Sequence, residues 1–257
     1  MFIPLTGKAS ANPNSHPNQL FGENGELLVI QNFIREGDTV FDVGACGGGW
    51  SMGVSEHCEN VVIHLFEPSP GIYQHLLVPN LSKENCSSSF IFNNCALADT
   101  EQVKTFYHYD SNPFLSTLYR RNDAEKQFNI PQPSSFPVFA TTLDLYCNKA
   151  GVERIQFLKI DVEGGEFDVL KGASQLLANG NIDVMQFEYG GTYVDAGITL
   201  QQIFSYLHGF RYEVYKIHPN GLQYMPVFLN EYEDYGYSNF LAVRHELSGR
   251  LRSQGSI

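Results

Sequence analysis

The chain has 257 residues, of which 43% are hydrophobic, and a formal net charge of -12 at pH 7. This length and composition fit one α/β domain with additions, or two small domains, around a sizeable core. The acidic balance argues against nucleic acid or an anionic membrane surface as a partner, because Lys and Arg dominate such binding.

The N-terminal segment, residues 1–22, is rich in Pro, Asn and Ser and is interpreted as an extended or partly disordered arm. It lacks the basic and apolar regions of a secretory signal, and no run approaches the roughly 18 apolar residues of a membrane span. The five cysteines form no C-x-x-C pair, which favours reduced thiols and a cytoplasmic location. Residues 23–245 are expected to form a single domain, with 246–257 as a loose C-terminal tail. Helical spacing of apolar residues predicts a first helix over 27–34.

The next stretch, residues 39–51, reads TVFDVGACGGGWS and combines a short apolar strand, a glycine loop and the start of a helix. In open α/β sheets this unit binds nucleotides at the carboxyl ends of the strands. The glycines do not match the dinucleotide fingerprint in either register, and no Lys-Ser or Lys-Thr follows them as a phosphate loop requires. Asp42, just before the turn, suits a cationic ligand. S-adenosylmethionine carries an ammonium and a sulfonium; a structural glycine turn with a capping Asp is the alternative.

Residues 61–66 predict a second parallel strand with Glu67 at its carboxyl end. Glu67 follows the start of the glycine loop by about 20 residues, where a doubly wound fold places the carboxylate that binds ribose hydroxyls. Ser69 and Pro70 predict the start of the next helix. A third strand, residues 90–95, leads into a small-residue turn that could lie against an adenine ring. Asp99 in that turn could accept from the exocyclic amine or could cap the turn.

Residues 101–140 interrupt the alternation of strands and helices. Two strand-like segments, 103–109 and 138–140, flank a polar, proline-rich connection, which predicts a β-hairpin insertion after the third strand. Loops on a rigid scaffold commonly carry specificity, so this insertion is our candidate substrate lid. His108 at its base either contacts substrate or removes a proton, or it only ends a solvated hairpin.

The fourth and fifth predicted strands, 155–161 and 182–188, both end in carboxylates, Asp161 with Glu163 and then Glu188. A hydroxyl acceptor must lose a proton, and a positioned base is worth about 10²–10⁴ in rate. Asp161 is our first choice of base, Glu163 the second and His108 the third; alternatively, Asp161 only positions the cofactor or the acceptor. A divalent metal on Asp161, Glu163 and Glu188 would be another route, but nothing in the spacing requires it, and we predict no metal.

The remaining elements complete an α/β pattern. Helices are predicted from a capping-box-like start at residues 141–144 to Gly151, over about 167–180, and over 199–208. Two last strands, 210–217 and 237–243, are expected to be antiparallel because of their hairpin-like order.

Six segments together resemble the FkbM family of S-adenosylmethionine-dependent methyltransferases: DVGACGG, HLFEPSP, NNCALAD, TTLDLYC, FLKIDVEGGEFDVLKGA and VMQFEY. The resemblance covers roughly residues 37–217, and KIDVEGGEFDVLKGA is its most specific part. It implies a Rossmann-like class I methyltransferase fold, with a mostly parallel seven-stranded sheet between helices and an antiparallel last strand. It also implies O-methylation of a hydroxyl on a sugar, polyketide or other natural product, hence a small-molecule or glycan acceptor.

The resemblance places Asp42, Gly44 and Gly48 at the methionine end of the cofactor, Glu67 at its ribose and Asp161 at the reaction edge. The full set of predicted cofactor-binding residues is Asp42, Gly44, Ala45, Cys46, Gly48, Ser51, Glu67, Pro68, Ala96 and Asp161.

One residue departs from the family pattern. The family usually reads Gly-Ala-Asn in the glycine loop, where this chain has Cys46. A thiol cannot supply the strong hydrogen bonds of an amide. This motivates an alternative function, a catalytically inactive module that binds S-adenosylmethionine or a nucleoside, against which the intact KIDVEGGE block argues. A nicotinamide-dependent oxidoreductase is a third hypothesis, against which the failed dinucleotide fingerprint argues.

Overall fold

A computed structural model describes residues 1–7, 24–84, 86–122, 125 and 129–254. Its strands are β1 (Phe2–Pro4), β2 (Thr39–Val43), β3 (Val62–Phe66), β4 (Ser89–Asn93), β5 (Ala96–Leu97), β6 (Gln102–His108), β7 (Ser134–Thr141), β8 (Ile155–Ile160), β9 (Ile182–Tyr189), β10 (Tyr212–His218), β11 (Gly221–Met225) and β12 (Ser238–Arg244).

The main sheet has nine strands in the order β1-β11-β10-β12-β9-β8-β2-β3-β4. Strands β4, β3, β2, β8 and β9 are parallel, and β12 runs antiparallel to both β9 and β10. The Rossmann-like α/β class and the antiparallel last strand are therefore confirmed. In spatial order, the seven strands from β10 to β4 correspond to the expected seven-stranded sheet. The two short strands β11 and β1 extend the sheet beyond β10. β11 folds back on β10 through a two-residue turn, with His218 opposite Gly221, and β1 pairs with β11.

The helices are α1 (Glu26–Phe33), α2 (Gly49–His57), α3 (Pro70–Ile72, continuing through the π-helical Tyr73–Leu77 to Val78–Leu81), α4 (Leu143–Ala150), α5 (Glu166–Lys171), α6 (Ser174–Ala178), α7 (Thr192–Ala196), α8 (Leu200–Gly209) and α9 (His245–Gln254). Apolar residues of α1, α2 and α3 pack on one face of the sheet, and those of α4, α5, α6 and α8 pack on the other. None of the helices in the described part of the chain combines the length and hydropathy that a membrane span requires.

Side-chain caps fix the starts of the two helices predicted at threonines. The hydroxyl of Thr142 accepts a hydrogen bond from the backbone N–H of Leu145, and Gly151 ends α4 at φ 70°. At α8, Thr199 and Gln202 form a reciprocal capping box. Each cap satisfies backbone N–H groups that have no partner inside the helix.

The single helix predicted over 167–180 is wrong, because the chain breaks there into α5 and α6. At Gly172 a Cβ atom would lie 2.1 Å from the carbonyl oxygen of Ala98, so the chain packs too closely for a side chain. The Asp144 carboxylate then caps α6, accepting from the backbone N–H groups of Gln175 and Leu176 at 2.9 and 3.0 Å.

The two ends of the chain also differ from expectation. Helix α9 stands where a loose tail was expected, and its leucines pack partly against the core. Residues 2–4 of the expected arm form the edge strand β1, and residues 8–22 of that arm lie outside the described residues.

The insertion forms the predicted hairpin. β6 and β7 pair antiparallel from Gln102 opposite Ala140 to His108 opposite Ser134, and β5 adds a third strand to this small sheet.

The order of the parallel strands defines where a ligand should bind. From β2 the chain passes outward to β3 and β4, then returns to β8 on the other side of β2. Open α/β sheets bind ligands at such a switch point, outside the carboxyl ends of the strands. The glycine loop after β2 and Asp161 after β8 stand on its two sides.

Candidate active site

A pocket of about 510 Å³ lies at this switch point. Its walls come from the loops after β2, β3 and β8, from the end of β9, from the start of α1 and from the insertion. The lining residues in these loops and at the neighbouring strand ends include Gly44, Ala45, Cys46, Gly47, Glu67, Pro68, Ala96, Asp161, Glu163 and Glu188. Those that come from elsewhere include Asn24, Glu26, Trp50, Phe106, Phe114, Ser116, Lys159 and Tyr237.

The glycine loop approaches the neighbouring strand end more closely than any side chain would allow. Gly44 has φ 83°, and a Cβ atom there would lie 1.8 Å from the carbonyl oxygen of Asp161. The loop after β2 is therefore fixed against the start of the loop after β8. This contact brings the glycine loop and Asp161 to one wall of the pocket.

Glu67 presents a buried carboxylate to the pocket. Its Oε2 atom accepts from the backbone N–H of Cys46 at 3.1 Å, and Oε1 accepts from that of Ser69 at 2.7 Å. Burial raises the pKa of Glu67 to about 7 despite these two hydrogen bonds. The two backbone donors orient the carboxylate, and its remaining lone pairs can accept from hydroxyl groups of a ligand.

Three carboxylates meet where the acceptor is expected. Asp161, Glu163 and Glu188 each place an oxygen within 4.8 Å of the others. Lys159 Nζ lies 3.0 Å from Asp161 Oδ2, and an Arg121 guanidinium nitrogen lies 2.5 Å from Glu163 Oε2. This oxygen set could hold a divalent cation, but two of its three charges already have a cationic partner.

The three carboxyl groups differ in their pKa values. Burial raises the pKa of Glu163 to about 7, against the opposing effect of Arg121. Burial and the charge of Asp161 raise the pKa of Glu188 well above its usual range. Burial alone would raise the pKa of Asp161 as well, but the Lys159 ammonium and the hydrogen bonds from Glu188 and Lys159 together outweigh burial and hold that pKa low. Asp161 is therefore the member of this group that is ionised most readily.

Three predicted cofactor-binding residues, Asp42, Gly48 and Ser51, do not line the pocket. Asp42 is fully buried behind the loop, where it accepts a hydrogen bond from Ser51 at 2.6 Å and lies 3.7 Å from Lys159. Gly48 has φ 80°, and a Cβ atom there would lie 2.8 Å from the side chain of Leu81. A glycine at this position therefore lets the loop pack closely against α3. These residues shape the glycine loop, and the expectation that Asp42 contacts a ligand directly is corrected.

The third candidate base, His108, also lies outside the pocket lining. Its ring contacts Ser116 Oγ at 3.0 Å and Asp110 at 3.4 Å, at the end of β6. Phe106 and Ser116 line the pocket in its place. The other predicted residues, Gly44, Ala45, Cys46, Glu67, Pro68, Ala96, Asp161 and Glu163, all line it.

Sequence reasoning missed Glu26 and Lys159 as pocket residues. Lys159 interrupts the apolar run IQFLKI, and Glu26 stands at the first position of α1. A lysine inside a strand that is otherwise buried on both faces is a signal, because a buried ammonium needs a partner. The aromatic residues Phe114 and Tyr237, which are 57% and 64% exposed at the pocket, carry no comparable pattern.

Comparisons with known proteins agree with this fold and identify the family. A profile of the Methyltransferase FkbM domain matches residues 42–217, well over half of the chain. The chain therefore belongs to the FkbM methyltransferase family. No curated protein gives a significant match.

Among solved structures, a methyltransferase FkbM from Methylobacillus flagellatus KT matches with a TM-score of 0.50 and 15% identity, over 81% of this chain and 44% of that one. This chain thus spans less than half the length of that protein. A precorrin-6y C5,15-methyltransferase from Geobacter metallireducens GS-15 matches with a TM-score of 0.42 and 11% identity, over 91% and 93% of the two chains. Fibrillarin from Aeropyrum pernix, a structure with bound S-adenosyl-L-methionine, matches with a TM-score of 0.41 and 14% identity, over 81% and 67%.

Proposed function

We propose that the chain is an S-adenosylmethionine-dependent O-methyltransferase that acts on a hydroxyl of a small-molecule or glycan acceptor. One observation carries the proposal: a single pocket contains both Glu67, a buried carboxylate suited to ribose, and the cluster of three carboxylates around Asp161. The two lie on opposite sides of the glycine loop. Membership of the FkbM methyltransferase family supports the class of reaction.

The pocket also has the charge that this cofactor requires. Its lining includes five carboxylates, Glu26, Glu67, Asp161, Glu163 and Glu188, and one cation, Lys159. S-adenosylmethionine supplies a methyl group already activated by a sulfonium, so the chain must mainly position and deprotonate the acceptor. An acidic pocket favours a cationic cofactor and disfavours an anionic acceptor.

Asp161 remains our first candidate for the general base, and Glu163 the second. Asp161 lines the pocket and is held ionised by Lys159, so it can accept the proton of an acceptor hydroxyl. Glu163 has a pKa of about 7, near the value at which a general base works best. Phe114 and Tyr237 are largely exposed and line the pocket, so they are our candidates for contact with the acceptor.

The test combines calorimetry with transfer of a labelled methyl group to a panel of hydroxylated acceptors. We expect wild type to bind S-adenosylhomocysteine and to methylate a member of the panel. Asp161→Asn should bind S-adenosylhomocysteine within a few fold of wild type but transfer about 10²–10⁴ times more slowly.

Asp110→Asn, at an exposed carboxylate outside the pocket, serves as the control and should behave as wild type. Near-normal transfer by Asp161→Asn would remove Asp161 as the base and leave Glu163→Gln as the next variant to measure. Binding of S-adenosylhomocysteine without transfer to any acceptor would favour the alternative, a scaffold module without catalysis.

A further inference from the structure

A row of polar side chains crosses the sheet beneath the glycine loop. Asp42, Lys159 and Gln186 are lateral neighbours on β2, β8 and β9, on the face covered by α1 and α2. They are at most 6% exposed. Buried polar groups on a central sheet cost free energy unless they are satisfied, so this row requires an explanation that packing does not provide.

Glu26 meets this row from the helix above it. It is the first residue of α1, is 8% exposed, and its carboxylate accepts from Asn24 Nδ2 at 2.6 Å and from Gln186 Nε2. Lys159 stands beside Gln186 on the neighbouring strand. Glu26 and Lys159 therefore flank the same glutamine, and both line the pocket.

Both groups keep hydrogen-bonding capacity. The Lys159 ammonium has three donors, of which one reaches Asp161 at 3.0 Å, while Asp42 at 3.7 Å is beyond hydrogen-bond distance. The Glu26 carboxylate has about four acceptor positions, and two hydrogen bonds to it are seen. One end of the pocket thus presents a donating cation and an accepting anion together, which is the complement of an α-amino acid.

The location of this pair fits the cofactor. Glu67, the ribose-type carboxylate, follows β3, and Lys159 is on β8, with β2 between them. Two strand spacings separate these positions by about 10 Å across the sheet, which leaves room for a ribose and a thioether between the two sites.

We propose that Lys159 binds the α-carboxylate, and Glu26 the α-ammonium, of the methionine part of the cofactor. This inference rests on the proposed function, because it assigns two residues to the same ligand. It also gives Lys159 a double contact, to the ligand and to Asp161 at the reaction edge.

Calorimetry with S-adenosylhomocysteine and truncated analogues tests this assignment without an acceptor. The analogues are decarboxylated S-adenosylhomocysteine, deaminated S-adenosylhomocysteine, and 5′-methylthioadenosine, which lacks the whole amino-acid end. Wild type should bind S-adenosylhomocysteine at least about tenfold more tightly than each analogue, because each analogue lacks a charged group that Lys159 or Glu26 would bind.

Each variant should lose the preference for S-adenosylhomocysteine over one of the analogues. Lys159→Met should bind S-adenosylhomocysteine and the decarboxylated analogue within about twofold of each other, and Glu26→Gln should do the same for the deaminated analogue. Both should bind 5′-methylthioadenosine as wild type does, since Glu67 is unchanged. Lys104→Met is the matched control: Lys104 pairs with Asp99 at 3.3 Å and Asp168 at 3.2 Å but does not line the pocket.

Lys159→Met leaves the buried Asp42 and the partly exposed Asp161 without their cation, so it can fail to fold. The comparison of analogues on wild type does not depend on this variant. Equal affinity of wild type for S-adenosylhomocysteine and the decarboxylated analogue overturns the assignment of Lys159, as does full discrimination in a folded Lys159→Met. Failure of both S-adenosylhomocysteine and 5′-methylthioadenosine to bind overturns the proposed function and this inference with it. Binding of both with no preference overturns the inference alone.

Discussion

Cys46 shows how a departure from a family pattern can leave a site intact at the scale of one residue. It adopts φ 46°, a left-handed conformation that Asn, the usual family residue, tolerates better than most side chains. The hydrogen bond that links Cys46 to Glu67 comes from its backbone N–H, which any residue except proline can donate. The substitution therefore changes a side chain at the pocket but keeps the contact that orients Glu67.

Glu166 predicts a pH dependence of stability. Its carboxylate is 1% exposed and accepts from the backbone N–H groups of Val162 and Gly164 at 2.9 and 3.0 Å, and burial raises its pKa to about 8. Because the folded-state pKa exceeds the unfolded one, folding binds a proton, and stability is lost as pH rises from about 4.5 through about 8. One pKa unit corresponds to about 1.4 kcal/mol, so we expect a loss of a few kcal/mol.

Urea unfolding at pH 5, 7 and 9 measures this loss as the difference between wild type and Glu166→Gln. The amide does not titrate, so the free energy of unfolding of the variant should fall less steeply with pH than that of wild type. Glu59→Gln, at an exposed glutamate, should follow the wild-type curve. Parallel curves for wild type and Glu166→Gln would show that Glu166 does not titrate in this range.

At the scale of elements, hydrogen bonds connect the insertion to the loop after β8, which carries the candidate bases Asp161 and Glu163. Arg121 donates from Nε to the carbonyl of Leu115 at 2.9 Å and from its terminal nitrogen to Glu163, and it is 7% exposed. The Thr117 hydroxyl donates to the backbone carbonyl of Glu163 at 2.7 Å. One buried arginine thus connects the turn that carries Phe114 with the reaction edge, as expected of a specificity-determining lid.

Arg121→Ala should therefore weaken acceptor use more than cofactor binding. Arg121 does not line the pocket, and Glu67 and the glycine loop belong to other elements, so affinity for S-adenosylhomocysteine should stay within about threefold. The acceptor KM should rise about tenfold or more, because Glu163 and the turn lose their common anchor. Arg121→Lys should restore only part of this, since an ammonium cannot bridge both partners as a guanidinium does.

The measurement is steady-state kinetics on an acceptor from the panel, with calorimetry for the cofactor product. Arg120→Ala is the matched control, because Arg120 pairs with Glu125 and has no contact with Glu163 in the described part of the chain. An unchanged acceptor KM in Arg121→Ala would mean that the insertion holds its position without this contact.

At the scale of the whole molecule, the sequence alone was sufficient to predict the site residues that come directly after a parallel strand. Glu67, Asp161 and Glu163 were predictable because parallel strands place their carboxyl ends at one edge of a sheet. The positions of Asp42 and Lys159 relative to the pocket were not predictable. The alternation of side chains along a strand does not show which polar side chain the helices packed on that face will cover. Asp42 is buried and accepts a hydrogen bond from Ser51 on α2, while Lys159, one strand away, lines the pocket. The short strands β1 and β11 were not predicted either, because no local sequence pattern marks them. In the structure β11 pairs with β10, and β1 pairs with β11.

The final prediction concerns stabilisation of the folded chain by its ligand. A ligand that binds only the folded state at 100 times its Kd adds about 2.7 kcal/mol to the free energy of unfolding. For a chain of about this size the melting temperature should then rise by roughly 5–10 °C. S-adenosylhomocysteine should produce this shift, and NAD⁺ at the same concentration should not, because its pyrophosphate would meet an acidic pocket without the dinucleotide fingerprint. Glu67→Ala should lose most of the shift, whereas Asp110→Asn should keep it. A comparable shift with NAD⁺ would instead favour the oxidoreductase hypothesis and require a different interpretation of the carboxylates around Asp161.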